Sequence, residues 1–123
     1  MELNEYQEKA MTTCMESSNN FSYMFLNLVG EVGEFASKIA KGIRKDVMYI
    51  GEKESDNALY FTEFPDMIEQ EEELMKEAGD ILWQLSGLCS VMGWDLERVA
   101  KINLDKLASR KQRNLIDGNG DNR

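Results

Sequence analysis

Hydrophobic residues recur at intervals of three and four along most of the chain, a spacing that predicts α-helices with one apolar face. The clearest apolar stripe runs for about six turns from Phe21. Its members are Phe21, Phe25, Leu28, Val32, Phe35, Ile39 and Ile43. The polar residues 17–20 can cap the start of this helix, and Gly42 with the basic pair Arg44-Lys45 suits its end. A long helix is therefore predicted here.

Three further helices follow from the same spacing. The first covers residues 3–17, a long helix opens at Pro65-Asp66 and ends at Gly93, and Asp95 caps the last one. The apolar positions of the long helix are Ile68, Leu74, Ala78, Ile81, Leu85, Leu88 and Met92. Four helices with short connections predict an all-α, four-helix-bundle-like domain over residues 1–123.

Residues 46–64 break this pattern. The runs VMYI and ALYFTEF are β-branched and aromatic, and the polar GEKESDN separates them. They predict a short hairpin or an irregular excursion, inserted between the second and third main helices. The glycine-rich residues 117–123 predict a flexible tail.

The composition excludes several classes of function. The 123 residues contain no histidine, which removes histidine-based catalysis and most zinc sites. A net charge of −9 argues against binding of a nucleic-acid polymer. Cys14 and Cys89 have no CxxC spacing and need no disulfide. No apolar run is long enough to span a membrane, so a cytoplasmic protein is expected.

Paired acidic residues recur in the second and third main helices. With an offset of 46 positions, LVGEVGEFA (28–36) falls on LMKEAGDIL (74–82). Glu31 then matches Glu77, and Glu34 matches Asp80, each pair on the same flank of its apolar stripe. If the two helices pack antiparallel, the four carboxylates converge on one space.

Four converging carboxylates need compensation, because like charges raise each other's pKa. Ligation by oxygen alone favours Mg²⁺, with Mn²⁺ as a substitute. Gly33 and Gly79 each cost about 1 kcal/mol inside a helix relative to alanine. We expect them to leave room for a ligand or for a close neighbouring helix.

A third group lies on the fourth helix. Asn103, Lys106 and Arg110 are spaced i, i+3 and i+7 and so share one face. Beside a carboxylate-bound metal, an amide and two cations form a phosphate-binding arrangement. The alternative is an amphipathic helix with a basic end.

The segments GEVGEFASKIAK, KEAGDILWQL, NLDKLASRKQR and GNGDNR together resemble the MazG-like, all-α nucleoside triphosphate pyrophosphohydrolases. The resemblance covers nearly the whole chain. One departure is the 42 residues between Glu34 and Glu77, more than is usual in the family, and the excess coincides with residues 46–64.

The resemblance implies a Mg²⁺-dependent conversion of a (deoxy)nucleoside triphosphate to the monophosphate and pyrophosphate. It implies that the metal ligands are Glu31, Glu34, Glu77 and Asp80. Glu31 or Glu34 would orient or deprotonate the attacking water. The phosphates would be bound by Asn103, Lys106, Arg110, Arg113 and Arg123, the last from the tail.

Three residues are weaker predictions for base binding. Trp83 lies opposite the apolar stripe of its helix, where it would stack on a base or pack in a subunit interface. Asn20 and Asn27 would read a base edge or act as polar caps. The wide stripes predict a homodimer or tetramer. The alternative function is a non-catalytic helical interaction module with an acidic surface.

Overall fold

The structure, a computed structural model, describes residues 1–51, 57–62 and 66–114. These contain a single 3₁₀ turn (Glu16–Ser18) and a two-stranded sheet of β1 (Met48–Ile50) and β2 (Leu59–Phe61). The four helices are α1 (Leu3–Met11), α2 (Phe21–Arg44), α3 (Asp66–Val91) and α4 (Leu96–Gln112). The predicted all-α architecture is confirmed.

Two of the predicted features cannot be compared with the structure. Pro65 and the tail at 117–123 lie outside the described residues. Within the described part, no helix has the length and apolarity to cross a membrane.

Helices α2 and α3 form an antiparallel pair. Met24 near the start of α2 packs against Gly87 near the end of α3, whereas Lys38 late in α2 reaches Glu73 and Glu77 in the first half of α3. Met24 has no exposed surface. Residues later in α2 thus contact residues earlier in α3. This antiparallel packing brings the matched acidic positions of the two helices together.

The side chain of Gln7 joins α1 to the turn between α3 and α4. Its Oε1 accepts from the Leu96 N–H at 2.9 Å, and its Nε2 donates to Ser90 Oγ and to the Trp94 carbonyl, each at 3.0 Å. Asp95 caps α4 as predicted, since its side chain accepts from the Arg98 N–H. Helix α4 therefore packs chiefly against α1.

Helix α1 is shorter than predicted, because it ends at Met11 rather than continuing to residue 17. The Thr12 and Thr13 hydroxyls donate to the carbonyls of Lys9 and Ala10, at 2.6 Å each. Such local bonds satisfy the last carbonyls of the helix and compete with its continuation. Cys14 consequently lies beyond the helix.

Residues 46–64 contain a hairpin, the first of the two alternatives. Met48 pairs with Phe61, and the rings of Tyr49 and Tyr60 stack at 5.1 Å. The hairpin is attached to the helical pair rather than isolated, because Met48 is buried against Gly42, where any Cβ would meet its side chain. Because an isolated two-stranded hairpin is only marginally stable, this packing helps to stabilise it.

Much of the apolar stripe of α2 is exposed in the single chain. Phe25, Val32 and Ile43 are all exposed, and so are Leu85 on α3 and Met92 just after it. The expected dimer or tetramer would cover such surfaces and stays a prediction.

Candidate metal centre

Three of the four predicted acidic residues come together between α2 and α3. Glu31, Glu77 and Asp80 each offer one carboxylate oxygen, and these oxygens all lie within 4.8 Å of one another. Glu77 and Asp80 share a flank of α3 because they are three residues apart. The antiparallel packing then places Glu31 of α2 opposite them. We call these three residues the acidic trio.

Negative charge in the trio is only partly compensated. Burial, followed by the charges of Asp80, Glu77 and Glu34, raises the pKa of Glu31 above its ordinary value. Glu34 is exposed and lies outside the trio, yet its charge acts on Glu31. The site thus favours a ligand that brings positive charge.

Lys38 supplies part of that charge. Its Nζ lies 2.8 Å from Glu77 Oε1 and 3.8 Å from Glu73 Oε2, and the Glu77 side chain is only 15% exposed. The hydrogen bond to Glu77 is the main reason that the pKa of Lys38 is raised. Sequence reasoning assigned no role to Lys38. The available signal was its position one turn beyond Glu34 on α2.

Tyr6 of α1 also approaches the site. Burial and the charge of Asp80 raise the pKa of its hydroxyl. In the sequence, Tyr6 is one member of a modest apolar stripe, and nothing there indicates that α1 crosses α3 near Asp80.

The donor chemistry fits a hard divalent cation. Every ligand atom that the trio offers is a carboxylate oxygen, and the chain contains no histidine. Mg²⁺ and Mn²⁺ prefer such ligands, whereas zinc sites favour sulfur and nitrogen. One lysine cannot balance the trio and Glu34 together, so a cation would relieve real repulsion.

The two glycines beside the acids face open space. A Cβ built on Gly33 or on Gly79 would meet no side chain or neighbouring element within 4 Å in the described structure. The single chain therefore gives no packing reason for either residue. We still predict that the glycines leave room for a ligand or for a second helix.

The predicted phosphate-binding residues lie on α4, at its end or in the tail. Asn103 is exposed, Lys106 is half-buried and Arg110 is only 4% exposed. Arg113 donates from Nε to Ser109 Oγ at 3.2 Å, and Arg123 lies outside the described residues. Helix α4 packs chiefly against α1, and contact of its polar face with the phosphates stays a prediction.

The three residues predicted for base binding all make polar contacts within the chain. Asn20 caps α2 by accepting from the Tyr23 N–H at 2.8 Å, and Asn27 donates to the Tyr23 carbonyl at 3.1 Å. Trp83 donates from Nε1 to Thr13 Oγ1 at 2.9 Å and to the Ala10 carbonyl at 3.1 Å. An intramolecular contact with α1, which sequence reasoning did not consider, thus accounts for the position of Trp83 opposite its stripe.

Comparison with known proteins supports the resemblance seen in the motifs. The family profile of the MazG nucleotide pyrophosphohydrolase domain matches residues 19–114. The chain is also 36% identical over 109 residues to the Gene 37 protein of Mycobacterium phage L5, covering 88% of this chain and 81% of that protein, whose name states no activity. No solved structure matches the chain significantly.

Proposed function

Because the chain belongs to the MazG nucleotide pyrophosphohydrolase domain family, we propose that it hydrolyses a (deoxy)nucleoside triphosphate to the monophosphate and pyrophosphate. The observation that carries the proposal is the acidic trio. Two helices contribute carboxylates from matching positions to one partly buried, negatively charged space. Such a space suits a metal-bound phosphate chain.

Glu31, Glu77 and Asp80 would hold Mg²⁺, or Mn²⁺ in its place. Glu34, one turn along α2, is proposed as a further ligand or as a base. The bound cation would neutralise phosphate charge and favour the departure of pyrophosphate.

The chain has few groups that can activate water. Without histidine, a carboxylate is the available base. Glu34 or Glu31 would orient the water and take its proton as the water oxygen attacks the α-phosphorus. The bond from the α-phosphorus to the bridging oxygen breaks, and pyrophosphate leaves with the electron pair. This is an in-line displacement at the α-phosphorus.

Asn103, Lys106, Arg110, Arg113 and Arg123 are proposed to contact the phosphates. Asn103 and Lys106 are at least partly accessible, whereas the burial of Arg110 suits it less for this role. Since α4 packs chiefly on α1, we propose that the α4 face reaches the trio of a second copy of the chain.

The test is a panel of ribo- and deoxyribonucleoside triphosphates with Mg²⁺, in which pyrophosphate and orthophosphate are measured separately. We expect pyrophosphate and monophosphate, with turnover reduced at least roughly 100-fold by Asp80→Asn. Asp105→Asn is the matched control, because Asp105 is exposed and pairs with Lys101 on α4.

Other outcomes would contradict the proposal in different ways. Release of orthophosphate alone would mean cleavage at another phosphorus. A folded protein that releases neither product from any nucleotide would favour the non-catalytic interaction module.

A further inference from the structure

A cavity lies beside the acidic trio. It has a volume of about 280 Å³ and opens between the end of α2 and the start of α3, next to β1. Its apolar wall is formed by Val47, Met48 and Leu74. Its charged rim consists of Lys38, Lys41, Lys45, Glu69 and Glu73. We call this space the hairpin cavity.

The amide of Gln70 lines the hairpin cavity and has hydrogen-bonding capacity to spare. Its Oε1 is out of contact with solvent and has no hydrogen-bond partner within the described structure. A buried acceptor left unpaired costs about 1–3 kcal/mol. A ligand group that draws this amide toward the cavity and donates a hydrogen bond to its oxygen would recover part of that free energy.

The cavity lies close enough to the trio for one ligand to occupy both spaces. Gln70 precedes Glu77 by seven residues on α3, which corresponds to about 10 Å along the helix axis. Lys38 borders the cavity and pairs with Glu77, so the two spaces adjoin. A ribose and its first phosphates span a distance of this order.

We propose that the hairpin cavity binds the nucleoside end of the nucleotide whose phosphates lie at the acidic trio, with Gln70 hydrogen-bonding the edge of the base. This inference rests on the proposed function. The wall of Val47, Met48 and Leu74 matches the apolar faces of a heterocyclic base.

The cavity is less suited to phosphate. Although three lysines stand on its rim, Lys38 already pairs with Glu73 and Glu77. Glu69 and Glu73 belong to the same rim, where their negative charges oppose the binding of an anion. The hairpin within residues 46–64, which lengthens the spacing between the acidic motifs, thereby acquires a role in recognition.

Two ligands separate base recognition from phosphate binding. The first is a nucleoside triphosphate analogue with a methylene bridge between its α- and β-phosphorus, which cannot be cleaved. The second is inorganic tripolyphosphate, which has no base. Calorimetry with Mg²⁺ measures the Kd of each for the wild type and the variants.

We expect Gln70→Leu to weaken the nucleotide analogue about five- to tenfold, the worth of one hydrogen bond, and tripolyphosphate about twofold or less. Val47→Phe, which fills the cavity, should weaken the nucleotide at least as much. Gln112→Leu is the matched control, because Gln112 is exposed on α4. When analogues carrying each of the four bases are compared, Gln70→Leu should also reduce the differences between their Kd values.

If the variants weaken the binding of both ligands equally, the cavity binds phosphate and the inference is overturned. Unchanged binding in both variants would overturn it too, with the proposed function intact. A wild type that binds tripolyphosphate but no nucleotide analogue would overturn the inference, and the turnover panel would then decide separately on the proposed function. A wild type that binds neither ligand would instead refute the proposed function, and the inference would fall with it.

Discussion

The Lys38 ammonium lies 2.8 Å from Glu77 Oε1 and so connects α2 to the acidic trio from within the chain. It bonds a group that is proposed to bind a metal, and it borders the hairpin cavity. Without a cation, Lys38 carries the positive charge closest to Glu77 that the described ion pairs show. Metal binding and the Lys38 ion pair are therefore coupled.

Replacing Lys38 should make the protein depend more on metal. Lys38→Met removes a positive charge from a site that is already too negative, so the metal-free protein should lose stability. Added Mg²⁺ or Mn²⁺ restores the charge, and the metal-induced rise in Tm should exceed that of the wild type. Lys101→Met is the control, because Lys101 pairs with Asp105 on α4. Equal rises in Tm would show that Lys38 and the metal site are independent.

Glu31 and Glu34 should contribute unequally to metal binding. Glu31 belongs to the trio, whereas Glu34 lies outside it and is exposed. Glu31→Gln should weaken Mn²⁺ binding by more than about 100-fold, and Glu34→Gln by about 10- to 100-fold, the range for an outer partner. Calorimetric titration with Mn²⁺ measures both. Equal losses would place all four carboxylates on the metal.

Stability without metal should depend on pH through Glu31. Its pKa is raised from an ordinary 4.5, so the folded state binds this proton more tightly than the unfolded state does. Ionised Glu31 therefore costs stability above its folded pKa, and the cost disappears below the unfolded pKa. In EDTA, Glu31→Gln should be more stable than the wild type at neutral pH, and this difference should shrink on acidification. Thermal unfolding measures it, with exposed Glu8→Gln as control.

The helical frame of this protein follows from local patterns, which is why the sequence predicts it well. The Asp95 cap and the stripe of α2 are properties of short segments. The approach of Glu31 to Glu77 and Asp80 was also predictable, because both helices carry their acids at the same phase and pack antiparallel.

What the sequence did not predict depends on contacts between distant segments. The end of α1 is set by threonine hydroxyls and the Trp83 indole, and Trp83 lies some seventy positions away in the chain. Tyr6 reaches the neighbourhood of Asp80 only because α1 crosses α3. Gln7 is a core residue although it is polar, since its bonds to the α3–α4 turn satisfy both ends of its amide.

The close packing of α2 on α3 depends on a large residue opposite a glycine. Met24 has no exposed surface, and any Cβ at Gly87 would overlap its side chain. Met24→Ala should cost about 2–4 kcal/mol in the free energy of unfolding, measured with urea. Gly87→Ala should be tolerated better in the Met24→Ala background than in the wild type. Additive effects would mean that these two positions are not coupled.

The exposed face of α2 leads to the last prediction. Leu26 and Val29 are 66% and 61% exposed, and no atom of another element lies within 4 Å of a Cβ built on nearby Gly30 or Gly33. Apolar surface of this kind is typical of an interface, and we propose that a second copy also brings an α4 face to the trio. We therefore expect a dimer or tetramer at micromolar concentration in sedimentation experiments.

Val29→Lys should weaken this assembly at least roughly tenfold, because a buried ammonium without a partner is costly. Turnover should fall with assembly if α4 acts across the interface, and it should recover at higher protein concentration. Met15→Lys, equally exposed but outside the helices, is the matched control. A wild type that sediments as a monomer and is fully active would exclude both the interface and a catalytic part for the second copy. An assembled Val29→Lys variant would place the interface on another face.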